Sequence, residues 1–164
     1  MNCLIALVKD APMPFQKIHG IEIYYEIHGR DTGKEPIALL HHGMGCAKTW
    51  KEIYPELVYR GYRVILYDRR GFGKSEKGPD FMDFYKTDRY RPESVDELDA
   101  FLDFLGILRF HVIGQCEGGV VALDYAAAFP NRVLTLTTSS TQCFSNVPMV
   151  EKNALMFPKI FREL

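Results

Sequence analysis

Four short apolar runs, rich in β-branched residues and separated by helix-forming segments, constrain the fold of this chain more than any other feature. The runs lie at residues 36–41, 62–67, 110–114 and 133–138. The helix-forming segments lie at residues 49–59, 94–105 and 119–129. Strands that are apolar throughout are typical of parallel strands covered on both faces. The alternation of strands and helices therefore predicts an α/β domain with a mostly parallel central sheet.

Two further signals refine this arrangement. Residues 15–29 are predicted to form two strands, and residues 21–27 alternate apolar and polar side chains, which indicates an antiparallel N-terminal edge. In the second helical segment, Ser94 and Glu97 have the spacing of a capping box, and Gly106 is placed to stop the helix. We therefore expect this helix to begin at Ser94.

The third apolar run ends in a tight turn that carries a cysteine between two glycines. Gly114, Cys116 and Gly118 have the spacing Gly-x-Cys-x-Gly, and a helix-forming segment follows directly. A side chain at the tip of a strained strand-to-helix turn needs very small residues two positions before and after it. The helix N-terminus would favour a thiolate or an oxyanion there. The pattern predicts a nucleophile elbow; a buried cysteine that packs as a small apolar side chain is the alternative.

The first apolar run also ends in a glycine-containing turn, residues 41–45, with the sequence His-His-Gly-Met-Gly. Acyl transfer needs two backbone N–H donors for the oxyanion, one after the nucleophile and one from a loop of this kind. The expected donors are the N–H groups of Glu117 and Met44. The supporting residues of this predicted site are His42, Gly43, Gly45, Gly114 and Gly118. The alternatives are a pair of histidines that merely end the strand, or a metal site that includes Cys46. No second cluster at ligand spacing accompanies the metal site, so we expect no metal.

A third turn follows the second apolar run at residues 68–75, with the sequence Asp-Arg-Arg-Gly-Phe-Gly-Lys-Ser. Its Gly-Lys-Ser ending suggests a phosphate-binding loop, which also needs a glycine five residues before the Gly-Lys pair. Asp68 occupies that position, and no helix-forming run follows Ser75 directly. The sequence therefore excludes a phosphate-binding loop.

Together, the three turns resemble the motifs of the α/β-hydrolase superfamily in order and in spacing. Residues 41–45 resemble its oxyanion loop, residues 68–75 its Asp-x-Arg-Gly-x-Gly-x-Ser loop, and residues 114–118 its nucleophile elbow, with cysteine where serine is usual. The resemblance covers about residues 15–140. It implies an α/β-hydrolase fold, an acyl-transfer site around Cys116, and chemistry that needs no cofactor.

The resemblance also implies a catalytic acid and a histidine that follow the nucleophile along the chain. All five histidines precede Cys116. We therefore expect residues 1–140 to form the N-terminal part of the core, with its C-terminal strands missing, and residues 141–164 to begin a cap or an irregular tail. His42 is the best-placed local base, whereas His111 lies in a strand on the face opposite to Cys116.

Composition narrows the range of partners. The 164 residues are 47% apolar and carry a net charge of −1. This near-neutral charge, without a basic stripe, argues against nucleic acid and anionic membrane as partners. No apolar run reaches transmembrane length, so we expect a cytoplasmic protein. The four cysteines are scattered singly, which favours reduced thiols over a disulfide framework.

Three functions remain open at this point. The first is a hydrolase that attacks a small ester, thioester or lactone through Cys116. The second is a non-catalytic pseudoenzyme or binding module of the same fold. The third is an enzyme completed by a partner chain. In each case a sheet ending at residues 133–138 would expose an apolar edge, which predicts self-association.

Overall fold

A six-stranded sheet lies at the centre of the computed structural model, which describes residues 15–142. The strands are β1 (Phe15–Ile18), β2 (Ile21–His28), β3 (Ile37–Leu40), β4 (Val64–Tyr67), β5 (Phe110–Gln115) and β6 (Val133–Ser139). Their order across the sheet is β1-β2-β4-β3-β5-β6. The β1–β2 and β2–β4 pairs are antiparallel, and the remaining pairs are parallel. The predicted mostly parallel sheet with an antiparallel N-terminal edge is confirmed.

Helices connect the strands in the part of the chain that the structure describes. They are a 3-10 helix (Ala47–Trp50), α1 (Tyr54–Tyr59), α2 (Phe81–Lys86), α3 (Tyr90–Phe104) and α4 (Glu117–Ala128). The single helix predicted over residues 49–59 is therefore wrong. It is divided because Pro55, in the first turn of α1, has no N–H with which to continue a helix from the residues before it. No helix in this region is both long and apolar enough to cross a membrane.

The start of α3 also differs from the prediction. The helix begins at Tyr90, and Ser94 is buried within it rather than capping it. The carboxylate of Glu97 accepts a long hydrogen bond of 3.4 Å from a backbone N–H in the loop after β4. The capping-box prediction is wrong, because both side chains are drawn into the core. The predicted stop at Gly106 is confirmed: this glycine has a φ of +68°, just beyond the end of α3.

Helices cover both faces of the sheet, which explains why its parallel strands are apolar throughout. Ala38 and Leu40 belong to a cluster formed with α3 and α4. Ile37 and Leu39, which point the other way, belong to a second cluster that includes Trp50 of the 3-10 helix and side chains of α1. Successive side chains of β3 are therefore buried on opposite faces, as the period of a strand requires.

The topology brings two of the predicted turns together. Strands β3 and β5 are neighbours, but the chain leaves β3 toward β4 on one side and leaves β5 toward β6 on the other. In open α/β sheets, ligands bind beyond the carboxyl ends of the strands at such a switch point. The predicted oxyanion loop follows β3 and the predicted elbow follows β5, so both lie at this position.

Candidate active site

The elbow holds Cys116 in a strained backbone conformation at the start of α4. Its φ of +51° and ψ of −116° lie in a region that residues other than glycine rarely adopt. Such a conformation costs about 1–3 kcal/mol and needs surrounding structure to maintain it. The Cys116 N–H donates to the carbonyl of Ser139 at the end of β6 (2.9 Å), and the Cys116 carbonyl accepts from the N–H of Gly119 (3.0 Å). The thiol is free and partly buried.

Close backbone packing explains the two glycines of the elbow. A Cβ atom on Gly114 would lie 2.5 Å from the carbonyl oxygen of Gly118. A Cβ atom on Gly118 would lie 2.5 Å from the carbonyl oxygen of His41. Contacts of Cβ atoms shorter than 3.0 Å are essentially never found. The elbow therefore packs directly against the backbone at the end of β3, where the oxyanion loop begins.

His41 anchors the entry to the oxyanion loop. Its ring is fully buried; Nε2 accepts from the Arg69 N–H (3.0 Å), and Nδ1 donates to the carbonyl of His42 (2.7 Å). Burial, assisted by the charge of Arg69, lowers the pKa of His41 well below its usual range. The imidazole is therefore neutral with its proton on Nδ1, because Nε2 accepts a bond. Both ring nitrogens hold the backbone, so His41 has no lone pair available for a substrate.

The tip of the oxyanion loop carries His42 and Met44. The Met44 N–H, predicted to bind the oxyanion, donates to His42 Nδ1 at 3.2 Å. The Gly45 N–H donates to the His42 carbonyl at 3.0 Å. The Met44 side chain is largely exposed. An oxyanion bound at Met44 would therefore compete with the imidazole of His42 for the same N–H.

The loop after β4 is held by hydrogen bonds within itself and to its neighbours. The Asp68 carboxylate accepts from the N–H groups of Ala47 (2.5 Å) and Lys74 (2.8 Å). The Ser75 hydroxyl donates to the Asp68 carbonyl (2.5 Å) and accepts from the Tyr24 N–H (2.9 Å). Burial raises the pKa of Asp68, although the two backbone donors oppose this effect. The loop thus joins β2 to the 3-10 helix that follows the oxyanion loop.

Glu117 directs its carboxylate into the interior, beneath the oxyanion loop. The residue is 1% exposed, and its carboxylate accepts from the hydroxyls of Tyr85 (2.9 Å) and Tyr90 (3.3 Å). The Nη2 atom of Arg69 lies 3.5 Å from Glu117 Oε2. A Cβ atom on Gly43 would lie 2.6 Å from Glu117 Oε1. The sequence predicted only the backbone N–H of Glu117, because no spacing signal connects Arg69, Tyr85 and Tyr90 with the elbow.

Two other histidines of the described region, His28 and His111, have partners away from the elbow. His28 Nε2 lies 2.8 Å from Glu26 Oε2, and His111 Nδ1 lies 2.8 Å from Thr135 Oγ1. Within residues 15–142, no histidine is hydrogen-bonded to Cys116, and no group of three or more His, Cys, Asp or Glu side chains is arranged to hold a metal ion. The predicted start of a cap falls almost entirely on residues 143–164, outside the described residues.

Known proteins resemble this chain in sequence and in structure. Residues 35–164 match the family model for the alpha/beta hydrolase fold. A proline iminopeptidase from Lactobacillus helveticus (strain DPC 4571) is 34% identical over 134 residues, which are 80% of this chain and 43% of the relative. RutD of Azorhizobium caulinodans, named as a candidate carbamate hydrolase, is 37% identical over 128 residues, 76% of this chain and 43% of that protein. The chain thus spans less than half the length of these curated relatives.

A solved structure extends the comparison. A carboxylesterase structure from the ammonia-oxidizing thaumarchaeon Nitrososphaera gargenis superposes with a TM-score of 0.74 at 27% sequence identity. The superposition covers 91% of this chain and 51% of the esterase chain. The two chains therefore share one fold over the superposed region.

Proposed function

The chain belongs to the α/β-hydrolase family, and we propose that it is a cysteine-dependent hydrolase of small acyl substrates. The observation that carries the proposal is the strained Cys116, held at the N-terminus of α4 and packed against the end of β3. Strain at a non-glycine residue is maintained where the surrounding structure supports it, and such residues cluster at functional sites. The helix N-terminus beside the thiol favours negative charge on sulfur or on a bound oxyanion.

The reaction follows from this arrangement. The Cys116 sulfur, after losing its proton to a base, attacks the acyl carbon, and the carbonyl π electrons move to oxygen. The N–H groups of Met44 and Glu117 stabilise that oxygen, for which Met44 exchanges its bond to His42 for one to the oxyanion. The oxyanion collapses, and the leaving alkoxide or thiolate takes up a proton from the base. Water then hydrolyses the thioester to a carboxylic acid and regenerates the thiol.

The base comes from a part of the full protein outside the described residues, or from a partner chain. His42 is the local alternative, but its Nδ1 faces the Met44 N–H rather than the thiol. A cysteine thiol is intrinsically nucleophilic, so it can be acylated slowly without a base. Acylation of Cys116 is therefore the step to test first.

The leaving group narrows the substrate class. The relatives are named for cleaving proline from peptides and for carbamate hydrolysis, which extends the range to amide-like carbonyls. From an amide the tetrahedral intermediate expels thiolate rather than amine unless an acid protonates the nitrogen. Within residues 15–142, no histidine is hydrogen-bonded to Cys116, so none is placed to protonate the leaving nitrogen. We therefore propose esters, thioesters or lactones as the substrates.

Acylation by p-nitrophenyl acetate tests this function. We expect a burst of p-nitrophenolate that approaches one equivalent, with the acetyl group on the Cys116 peptide by mass spectrometry. Cys116→Ala abolishes the burst, whereas Cys46→Ala, which removes the other free thiol described here, leaves it unchanged. A burst that persists in Cys116→Ala would remove this residue from the mechanism. No burst in the wild-type protein would favour a non-catalytic binding module.

A further inference from the structure

We propose that the buried Arg69–Glu117 pair is a positioning element of the acyl-transfer site, which sets the separation between the oxyanion loop and the elbow. This inference rests on the proposed function. It concerns side chains that the chemistry above does not use, since Glu117 contributes only its backbone N–H to the reaction. Arg69 and Glu117 do not contact the reacting atoms; they act through the backbone that carries the donors.

The pair lies between the two segments that must be held. Glu117 begins α4 directly after Cys116, and its carboxylate contacts the backbone of Gly43, next to Met44. The Arg69 backbone N–H bonds His41 at the other end of the same loop. The two partners of the ion pair thus contact the oxyanion loop at its first residue, His41, and at its middle residue, Gly43. Movement of either one would shift Met44 relative to the elbow.

Burial makes the pair rigid and its loss costly. The Arg69 and Glu117 side chains are 3% and 2% exposed, and their charged atoms lie 3.5 Å apart. Removing one partner of a buried ion pair costs about 3–5 kcal/mol, because the other charge stays buried and unpaired. Two guanidinium nitrogens of Arg69, Nε and Nη2, make no hydrogen bond in the structure, so the carboxylate is the main compensation for this charge.

Aromatic side chains complete the element. Tyr90 accepts a hydrogen bond from Arg69 and donates one to Glu117, and Tyr85 donates the second. Burial raises the pKa values of both phenols above their ordinary range, with the neighbouring carboxylate reinforcing the effect, so both stay protonated donors. The Arg69 guanidinium lies 4.9 Å from the centroid of the Phe72 ring. The carboxylate is therefore fixed from three directions below the oxyanion loop.

Two conservative substitutions test the proposal on the full-length protein. Glu117→Gln keeps the shape and removes the charge; Arg69→Met keeps the length and removes the cation. With p-nitrophenyl acetate, we expect each to lower kcat by about 10- to 100-fold with KM within about threefold of wild type, because oxyanion contacts act in the transition state. The double variant should lose about as much as either single one, since the pair acts as a unit. Both singles retaining kcat within about threefold would overturn the proposal.

Another ion pair, on the surface, supplies a matched control. Arg91 of α3 and Asp124 of α4 form a bidentate ion pair there. Arg91→Met combined with Asp124→Asn should leave kcat and KM unchanged. If the Arg69 or Glu117 variants fold poorly, Tyr85→Phe and Tyr90→Phe remove one hydroxyl each. These should lower kcat by severalfold at constant KM, and an unchanged kcat in both would overturn the proposal.

A readout that needs no turnover separates this proposal from the proposed function. The unfolding free energy of Gly43→Ala, measured with urea in the wild-type background and in an Arg69→Met/Glu117→Ala background, reports the contact between the oxyanion loop and Glu117 directly. If wild-type protein shows no turnover, the proposed function fails and this comparison decides. A destabilisation confined to the wild-type background supports the positioning element, and equal losses in both backgrounds overturn it.

Discussion

Adding one methyl group to Gly43 probes the contact between the oxyanion loop and the elbow. In Gly43→Ala the new Cβ would lie 2.6 Å from Glu117 Oε1. That is about 0.8 Å short of an ordinary van der Waals contact. The carboxylate cannot swing aside, because Tyr85, Tyr90 and Arg69 hold it. The loop must therefore move away from the elbow by most of that distance.

The expected change in the free energy of unfolding follows from two opposing effects of the new methyl group. Alanine in place of glycine stabilises by about 0.4–1 kcal/mol through the unfolded chain where the backbone permits it, and Gly43 has no positive φ. Overpacking against fixed atoms costs about 1–3 kcal/mol. We therefore expect a net loss of about 1–2 kcal/mol in the free energy of unfolding. A loop displaced by nearly 1 Å should also lower kcat by about 100-fold.

Urea unfolding of four proteins at 25 °C isolates the contact. Gly43→Ala is compared with its parent in the wild-type background and in an Arg69→Met/Glu117→Ala background, where the carboxylate is gone and no cation is left unpaired. In the second background the substitution should be neutral or stabilising, which gives a coupling energy of about 1–3 kcal/mol. An equal loss in both backgrounds would refute the role given to Glu117, and a stabilising Gly43→Ala in wild type would refute the contact itself.

Two further predictions concern stability and association. Burial raises the pKa of Glu97 from its ordinary value of 4.5 to about 7. The protonated carboxyl of Glu97 therefore contributes stability that is complete below pH 4.5 and is lost as the pH rises through about 7. The Glu97→Gln variant lacks this titration, so its free energy of unfolding should rise by about 3 kcal/mol relative to that of wild type between pH 4.5 and pH 8. Unfolding free energies from urea titrations that vary with pH in the same way for both proteins would contradict this. Among residues 15–142, β6 is an outer strand of the sheet, and Thr137→Lys on it should reduce concentration-dependent association in sedimentation velocity. A wild-type protein that stays monomeric at all concentrations would show that this strand does not mediate self-association.

The sheet could be predicted from the sequence because the patterns that indicate strands and turns are local. The apolar runs at β3, β4, β5 and β6 and the glycines at the elbow each report on a strand or a turn within a few residues. The errors arose where tertiary packing overrides local preference. Helix α2 was not predicted, since its six residues are stabilised by aromatic packing of Phe81, Phe84 and Tyr85 rather than by a helical pattern. Ser94 and Glu97 have capping spacing, but both are buried in the core.

The elbow of the candidate site could be predicted for the same reason, whereas the side chains around it could not. Cys116 and its flanking glycines form a contiguous motif, so the turn could be predicted from spacing alone. The partners of Glu117 could not, because Arg69 and Tyr90 are separated from the elbow by dozens of residues and meet it only through the sheet order. The bond between the Met44 N–H and His42 was equally hidden, since it depends on the conformation of the loop tip.

The hydrogen bond from Cys116 to the Ser139 carbonyl has a consequence for biosynthesis. Ser139 is translated more than twenty residues after Cys116, and Gly119 packs against Thr141, which is translated later still. At about 5–20 residues per second, the elbow emerges seconds before the strand that holds it in its strained form. During that interval the backbone at Cys116 can adopt a relaxed conformation. The strained turn can therefore form only after β6 has docked, so the geometry of the proposed nucleophile is completed late in folding.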